Sequence, residues 1–502
     1  MAQGENFDTA GWAAAAACWS CACCLPPEFD LFGLTDEVPP PPRRRFPRRF
    51  HRGSRAFGLW AESCSAVAHA ARVPGGQKGR NVIPQGQQRF DLGLPPPEQP
   101  DWEPLSDRVV SVLGQNPSKF TLNGTNCYLV GSGPRRLLID AADEHHGSEN
   151  FLEGLGRCME EHGIEGLSGI LVTHMHHDHF GNIRLLQEKY GPVPVYSHGV
   201  DDYGFDLLNG LRDRGLEQYF LTPQGRPYVV KMGGTPASQG IPDIPADTDF
   251  SWAEELVHHI PGKTTIEKAR FLHFFQWHRA WLKDMLLSGA YDWHQVSDGD
   301  VIATEGATLT AMHTPGHAPD HVAFLLEEEH ALFSGDNVLG WGTTLVFDMR
   351  DYMEALQRML ALKPTRLYPG HGSYIEDGVD MLVRYIDHRK QREHQAWDVL
   401  QGKAQPVPLA DIVRELYPET RPERIWMAKD NLEKLLRKFA LDGAARAWRP
   451  VGDGNGGQQL VPYAIPQSGY KVTRLPGDLL WGARRSMVRF RELDGDARRA
   501  KL

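Results

Sequence analysis

The stretch that most limits how this chain can fold is Thr173-His174-Met175-His176-His177-Asp178-His179. It follows the apolar run Ile170-Leu171-Val172, which reads as a buried strand running out into a loop. Alternate side chains on an extended segment share a face, so His174 and His176 point the same way. If a helix begins near Asp178, that carboxylate and His179 swing toward an adjoining point, leaving His177 spare. Two neighbouring metal sites fed by one loop are the expected result. Imidazole nitrogen and carboxylate oxygen suit zinc best, with manganese or iron as lesser fits. A solvated polar turn that happens to be rich in histidine is the competing reading. It does not account for an aspartate set among imidazoles directly after a strand.

This His-x-His-x-Asp-His pattern resembles the metallo-β-lactamase superfamily. Three turns then follow in the order that the resemblance implies: Thr314-Pro315-Gly316-His317, Phe333-Ser334-Gly335-Asp336 and Tyr368-Pro369-Gly370-His371-Gly372. Any one of them alone would equally describe a structural turn. Taken together, the resemblance implies one ion held by His174, His176 and His317 and a second by Asp178, His179 and His371, with Asp336 bridging. It implies two zinc ions and an α+β fold, an αββα sandwich. Asp140, at the end of a strand, is placed to orient a ligand from behind. His321, four residues after His317, either supports the ligands or serves the fold.

Around this centre the chain divides unevenly. Residues 1–103 form a low-complexity extension with an alanine run, the Pro39–Pro42 tract and the basic block Arg43 to Arg49. The arginines suit an organelle-targeting peptide, whereas Glu5, Asp8, Glu28, Asp30, Asp36 and Glu37 do not. Seven cysteines on 502 residues make no disulfide framework, and the group at Cys18, Cys21, Cys23 and Cys24 reads as incidental. No apolar run approaches the length of a membrane span, so no membrane partner is expected.

The metal domain is expected over 104–400, interrupted at about 199–293. The interruption carries a helix from about Ile266 to Leu287 with apolar residues on more than one face. It reads as an insertion without catalytic residues, with a lid, an oligomer contact or translated intron as alternatives. Its histidines, including His258 and His259, are not spaced to join the metal set. Near the end of the domain, Asp351 and Glu354 read as a capping box that opens a helix.

Pro406 and Pro408 mark a linker, after which two amphipathic helices and an apolar piece suggest a winged-helix-like module over 401–450. The remainder, 451–502, reads as an irregular tail. A net charge of −10 excludes nucleic-acid binding over the whole surface but not by a local patch. Lys429, Lys434, Arg437 and Lys438 supply such a patch in the module, although a solvated helix face accounts for them about as well.

Finer matches place the chain nearer one branch of the superfamily. Thr121-Leu122-Asn123-Gly124-Thr125-Asn126, Asp300 to Leu309 and Ser334-Gly335-Asp336-Asn337-Val338-Leu339-Gly340 are similar to the β-lactamase-like protein 2 family. That resemblance implies a metal-dependent endoribonuclease acting on single-stranded RNA, in the mitochondrion or the cytoplasm. A water deprotonated between the metals would be the nucleophile, with Asp178 among the catalytic groups. Related proteins hydrolyse acyl thioesters on the same framework, so that reaction is the alternative. A scaffold that docks RNA without cutting it is a third reading, disfavoured by a complete ligand set.

Overall fold

The computed structural model describes residues 96–118, 120–199, 206–221, 244–245, 248–251, 253–254, 264–418, 425–452, 458–467, 475 and 478–483. The cysteine cluster and arginine block of the extension, His258 and His259 lie outside the described residues.

Alternation along the strands builds the architecture. β1 (Trp102–Pro104), β2 (Val109–Leu113), β3 (Asn126–Val130) and β4 (Arg135–Ile139) pair antiparallel in chain order. β5 (Gly166–Leu171), β6 (Val195–Ser197) and β7 (Trp293–Gln295) continue the same sheet in parallel. A second sheet has the order β12-β11-β10-β9-β8. Its strands are β8 (Val301–Thr304), β9 (Ala307–His313), β10 (Val322–Leu326), β11 (Ala331–Gly335) and β12 (Leu367–Pro369). Only its β11–β12 pair is parallel.

Successive side chains on a strand point to opposite faces. Val109, Val130, Leu137 and Ile139 therefore face inward and meet Leu309, Val322, Phe324 and Phe333 of the second sheet. Val110, Val112, Leu129 and Leu138 face outward, against Phe151 and Leu155 of α1 (Ser148–Glu161) and Leu186 of α3 (Ile183–Tyr190). On the far side, Leu325 and Leu332 pack against α6 (Met349–Ala361) and α7 (Gly378–Gln401). Each large side chain buried this way contributes ~1.5–3 kcal/mol. The result is the expected four-layer αββα sandwich.

The C-terminal module does not stand apart from the metal domain beyond the prolines that read as a linker. One apolar cluster runs from Leu325 and Leu356 through Leu382 and Trp397 to Ile412, Leu436 and Trp481. It thereby joins the metal domain to α8 (Leu409–Leu416) and α9 (Ile425–Leu441). Val407–Pro408 is a short strand, β13, paired antiparallel with β16 (Leu480–Ala483). Proline is tolerated there because it ends the strand and directly precedes α8. Nor does the chain beyond 450 stay irregular. β14 (Ala445–Gly452) and β15 (Gln458–Tyr463) complete a sheet of order β13-β16-β14-β15. Almost all of β15 is exposed, so it lacks the alternation that marks a half-buried strand.

Two further expectations change. The helix expected to open at Asp351 starts at Met349, because the Asp348 carboxylate accepts from the amides of Arg350 and Asp351 at 3.0 and 3.2 Å. The interruption has a small core of its own, formed by Leu211, Phe220, Phe250, Ala253 and Ala269. Its last part, however, belongs to the main fold. Leu286, on α5 (Thr265–Leu287), joins the cluster of Phe151 and Ile183, with Trp281, Tyr291 and Trp293 packed against it. The helix reads as apolar on several faces because its two ends serve two different cores.

Leu286→Ala should therefore destabilise the whole protein by about 2–5 kcal/mol, while Phe220→Ala should loosen the insertion alone. Denaturant unfolding followed by circular dichroism, with limited proteolysis of the insertion, separates the two effects. An unchanged unfolding midpoint for Leu286→Ala would show that α5 only rests on the surface.

Candidate metal centre

Every candidate ligand leaves the C-terminal end of a strand. His174 follows β5, His317 follows β9, Asp336 follows β11 and His371 follows β12. β9, β11 and β12 run in the same sense, so their outgoing loops gather on one rim. The rim is joined to the first sheet where the Val322 amide donates to the Thr173 carbonyl at 2.7 Å. After Met175 the chain turns into a one-turn helix, α2 (His177–Phe180), which carries Asp178 and His179 inward.

The donor atoms fall into three overlapping groups, each with its atoms within 4.8 Å of one another: His174, His176 and His317; His174, His179 and Asp336; Asp178, His179 and His371. His176 Nδ1 lies 2.8 Å from His174 Nε2 and 3.1 Å from His317 Nε2. Asp178 Oδ2 lies 3.3 Å from His371 Nε2 and 3.6 Å from His179 Nε2. Asp336 stands between the sets. Its Oδ2 is 3.6 Å from His317 Nε2 and 3.4 Å from His371 Nε2, and its Oδ1 is 3.6 Å from His179 Nε2. The structure thus brings together all seven residues that the motifs single out.

A surrounding layer fixes which nitrogen each ring presents. Asp140 Oδ2 accepts from His179 Nδ1 at 2.7 Å, leaving Nε2 for the centre. Asp140 also accepts from the Thr173 amide at 2.8 Å and hydroxyl at 2.9 Å. It does so with φ at +62°, a strained region for a residue with a side chain. The Leu345 carbonyl accepts from His317 Nδ1 at 2.8 Å, and that of Gly124 lies 3.3 Å from His371 Nδ1. His321, fully buried, uses Nε2 to accept from the Asp336 amide at 3.1 Å. It supports the bridging aspartate through the backbone.

The two sets differ in charge. Burial drives His174 and His176 well below the usual histidine range, helped by neighbouring imidazoles. Burial also lowers His317. In the second set burial pulls the same way, but carboxylates outweigh it. Asp140, Asp178 and Asp336 hold His179 well above its ordinary value, and Asp336 with Asp178 holds His371 at about 9. Burial opposes ionisation of Asp178 and Asp336, yet His179 and His371 keep both carboxyls well below the usual range.

These residues fit a dinuclear metal centre. His179 Nε2 and Asp336 Oδ1 are buried without a hydrogen-bond partner among the described residues, a costly state that a cation between them would relieve. Space is kept for them too. A Cβ on Gly370 would collide with Asp336 Oδ1 and lie 2.9 Å from His179 Cε1. On Gly335, at φ +48°, it would lie 2.5 Å from His321 Nε2.

Some supporting groups were not legible as such. Asp320 Oδ2 accepts from the Met175 amide at 2.7 Å, and Asn337 donates to the Thr314 carbonyl at 2.7 Å. Both are buried polar residues inside the motif loops. His177 is not spare: its Nε2 sits 3.3 Å from Asp143 Oδ2. The four basic residues of α9 do not gather as an open face. Arg437, 6% exposed, donates to the Pro466 carbonyl. Lys438 lies between Glu393 and Asp442 at 2.5 and 2.8 Å. Lys434 pairs with Asp430 at 2.8 Å and lies 5.3 Å over the Phe347 ring, while Lys429 is half-buried.

A family model for the metallo-beta-lactamase superfamily matches residues 120–371, from before the first ligand through the last. The chain belongs to that superfamily. It is 30% identical over 344 residues to the beta-lactamase-like protein 2 homolog of Drosophila melanogaster, covering 68% of this chain and 91% of that relative. The Caenorhabditis elegans homolog is 29% identical, with 68% of this chain and 87% of the relative covered. An atrochrysone carboxyl ACP thioesterase of Claviceps purpurea is 30% identical, with 69% and 84% covered. Among solved structures, a metallo-beta-lactamase family protein of Thermus thermophilus is 20% identical at a TM-score of 0.44, with 76% of this chain and all of that one covered.

As a member of the metallo-beta-lactamase superfamily, the purified protein should carry two metal equivalents by elemental analysis. His174→Ala and Asp336→Ala should each lower that content. The two sets should also respond differently to pH. Without metal, His371 and His179 are protonated at neutral pH and must lose a proton to bind, whereas His174, His176 and His317 are already neutral. Between about pH 8.5 and about pH 6.5, affinity at the second set should fall at least about tenfold per unit while the first set stays nearly flat. Parallel slopes in chelator-competition titrations would contradict this charge assignment.

Proposed function

We propose that this superfamily hydrolase is an endoribonuclease that cleaves single-stranded RNA with two zinc ions. The observation that carries the reading is the match over 91% and 87% of the two beta-lactamase-like protein 2 homologs, joined to the activity that this resemblance implies. Bound divalent metals supply Lewis acidity and, at neutral pH, a hydroxide nucleophile. The chain's own residues do the rest. Asp178 and Asp336, kept ionised, offset the charge of the ions. Asp140 and the Leu345 carbonyl hold the Nδ1 protons of His179 and His317, so neither ring can turn its lone pair away. Such a centre faces an electrophile whose oxygens gain negative charge during attack, which describes a phosphodiester.

A thioester carbonyl meets the same description, and two observations favour it as the second reading. The Claviceps purpurea relative is named as a thioesterase, at 30% identity over 352 residues. Arg437, Lys438 and Lys434 are engaged within the fold, so α9 offers a phosphate backbone less than its sequence suggests.

Wild type and His176→Ala, offered labelled single-stranded RNA, duplex RNA and an acyl-thioester panel, decide between them. The nuclease reading expects single-stranded RNA to be cut, duplex RNA to be cut less, and both activities to vanish in His176→Ala and after chelation. Metal-dependent thioester turnover with no RNA cleavage above the His176→Ala background overturns it.

A further inference from the structure

The metal centre is gripped from outside the family motifs by α7. Tyr385 and Arg389 are four residues apart and share one helical face. That face meets the loop between Asn337 and Asp348. The Tyr385 hydroxyl accepts from the Leu339 amide at 2.9 Å and donates to the Gly342 carbonyl at 3.2 Å. Arg389 donates from Nη2 to the Thr344 carbonyl at 2.7 Å, with its guanidinium 5.4 Å over the Tyr352 ring. Tyr352 in turn donates to the Asn337 carbonyl at 2.6 Å.

The other side of this loop holds His317. Leu345 supplies the carbonyl that accepts from His317 Nδ1 at 2.8 Å, and Thr344 Oγ1 lies 3.2 Å from the same nitrogen. Two adjacent residues thus have a helix donor on one side and a metal-site imidazole on the other. Burying a guanidinium is costly, and Arg389 is only 6% exposed. Packing alone would be served by methionine or leucine. We propose that Arg389, assisted by Tyr385, is a positioning residue that fixes the tautomer and direction of His317, and so tunes the ion held by His174, His176 and His317. The rings of the second set are held elsewhere, His179 by Asp140 and His371 against the Gly124 carbonyl, and the loop reaches that set only through the backbone, where the Gly340 amide donates to the His371 carbonyl at 2.8 Å. Arg389 binds the Thr344 end of the loop, beside the His317 contact, so its effect should fall mainly on the first of the two sites. This inference rests on the metal centre and not on the choice of substrate.

The test uses full-length protein and zinc alone, titrated against a chromophoric chelator. In an Asp178→Ala background the first set is read, and in a His317→Ala background the second. Arg389→Met should weaken zinc in the first background by about tenfold or more, the size of effect seen when a ligand loses its supporting partner, with little change in the second. Arg389→Lys should recover part of the loss. A role limited to holding α7 in place predicts a lower melting temperature with both affinities unchanged, or an equal loss at both; either result overturns the proposal. If Arg389→Met gives no folded protein, Tyr385→Phe, which removes a single oxygen, is judged by the same selectivity.

Discussion

One buried carboxylate holds the turn on which both metal sets depend. Asp140, 1% exposed, accepts from the amide and hydroxyl of Thr173 and from the ring of His179. Thr173 opens the histidine loop and His179 closes it, so a single side chain fixes both ends of the segment carrying four of the seven ligands. The left-handed backbone at Asp140 is the strain that accompanies this placement. Three charge-assisted or buried hydrogen bonds in a region shielded from water are strong enough to offset it.

The centre is a meeting of two sheets. The first sheet delivers the histidine loop, and the second delivers His317, Asp336 and His371 from parallel strand ends. No single element owns either set. Asp336 reaches toward His317, His179 and His371 at nearly equal distances, so the sets are coupled through one carboxylate. The histidines shifted down in one set and those shifted up in the other share that neighbour. They shift in opposite directions because His371 and His179 bond directly to carboxylates, whereas burial and neighbouring imidazoles dominate at His174 and His176.

Much of this was legible in the sequence, for physical reasons. A strand followed by closely spaced imidazoles and a carboxylate admits few geometries, and strand alternation in Val109 to Leu113 and Leu137 to Ile139 survives because each side chain has one face to satisfy. Asp140 stood out as a polar residue ending an apolar strand. Other features were hidden because their cause is distant in the chain. Nothing local marks Leu286 as core, since Phe151 and Ile183 lie more than a hundred residues before it. Lys438 reads as an exposed base until Glu393 of another helix is placed beside it. Pro408 looks like a linker until β16, more than seventy residues later, pairs with the residues before α8.

The shared cluster that joins the metal domain to the C-terminal strands has a consequence during synthesis. Ligands from His174 to His371 emerge from the ribosome well before Ile412, Leu436 and Trp481, the residues that cover the outer face of α7. A nascent chain at that stage already holds the whole ligand set while presenting uncovered the apolar surface around Trp397, whose ring in the finished fold meets Phe439 at 5.4 Å between centroids, the kind of surface that chaperones bind and that drives misassembly. A message truncated after α7 would therefore yield not a smaller enzyme but a sticky intermediate, with degradation rather than partial activity as its fate.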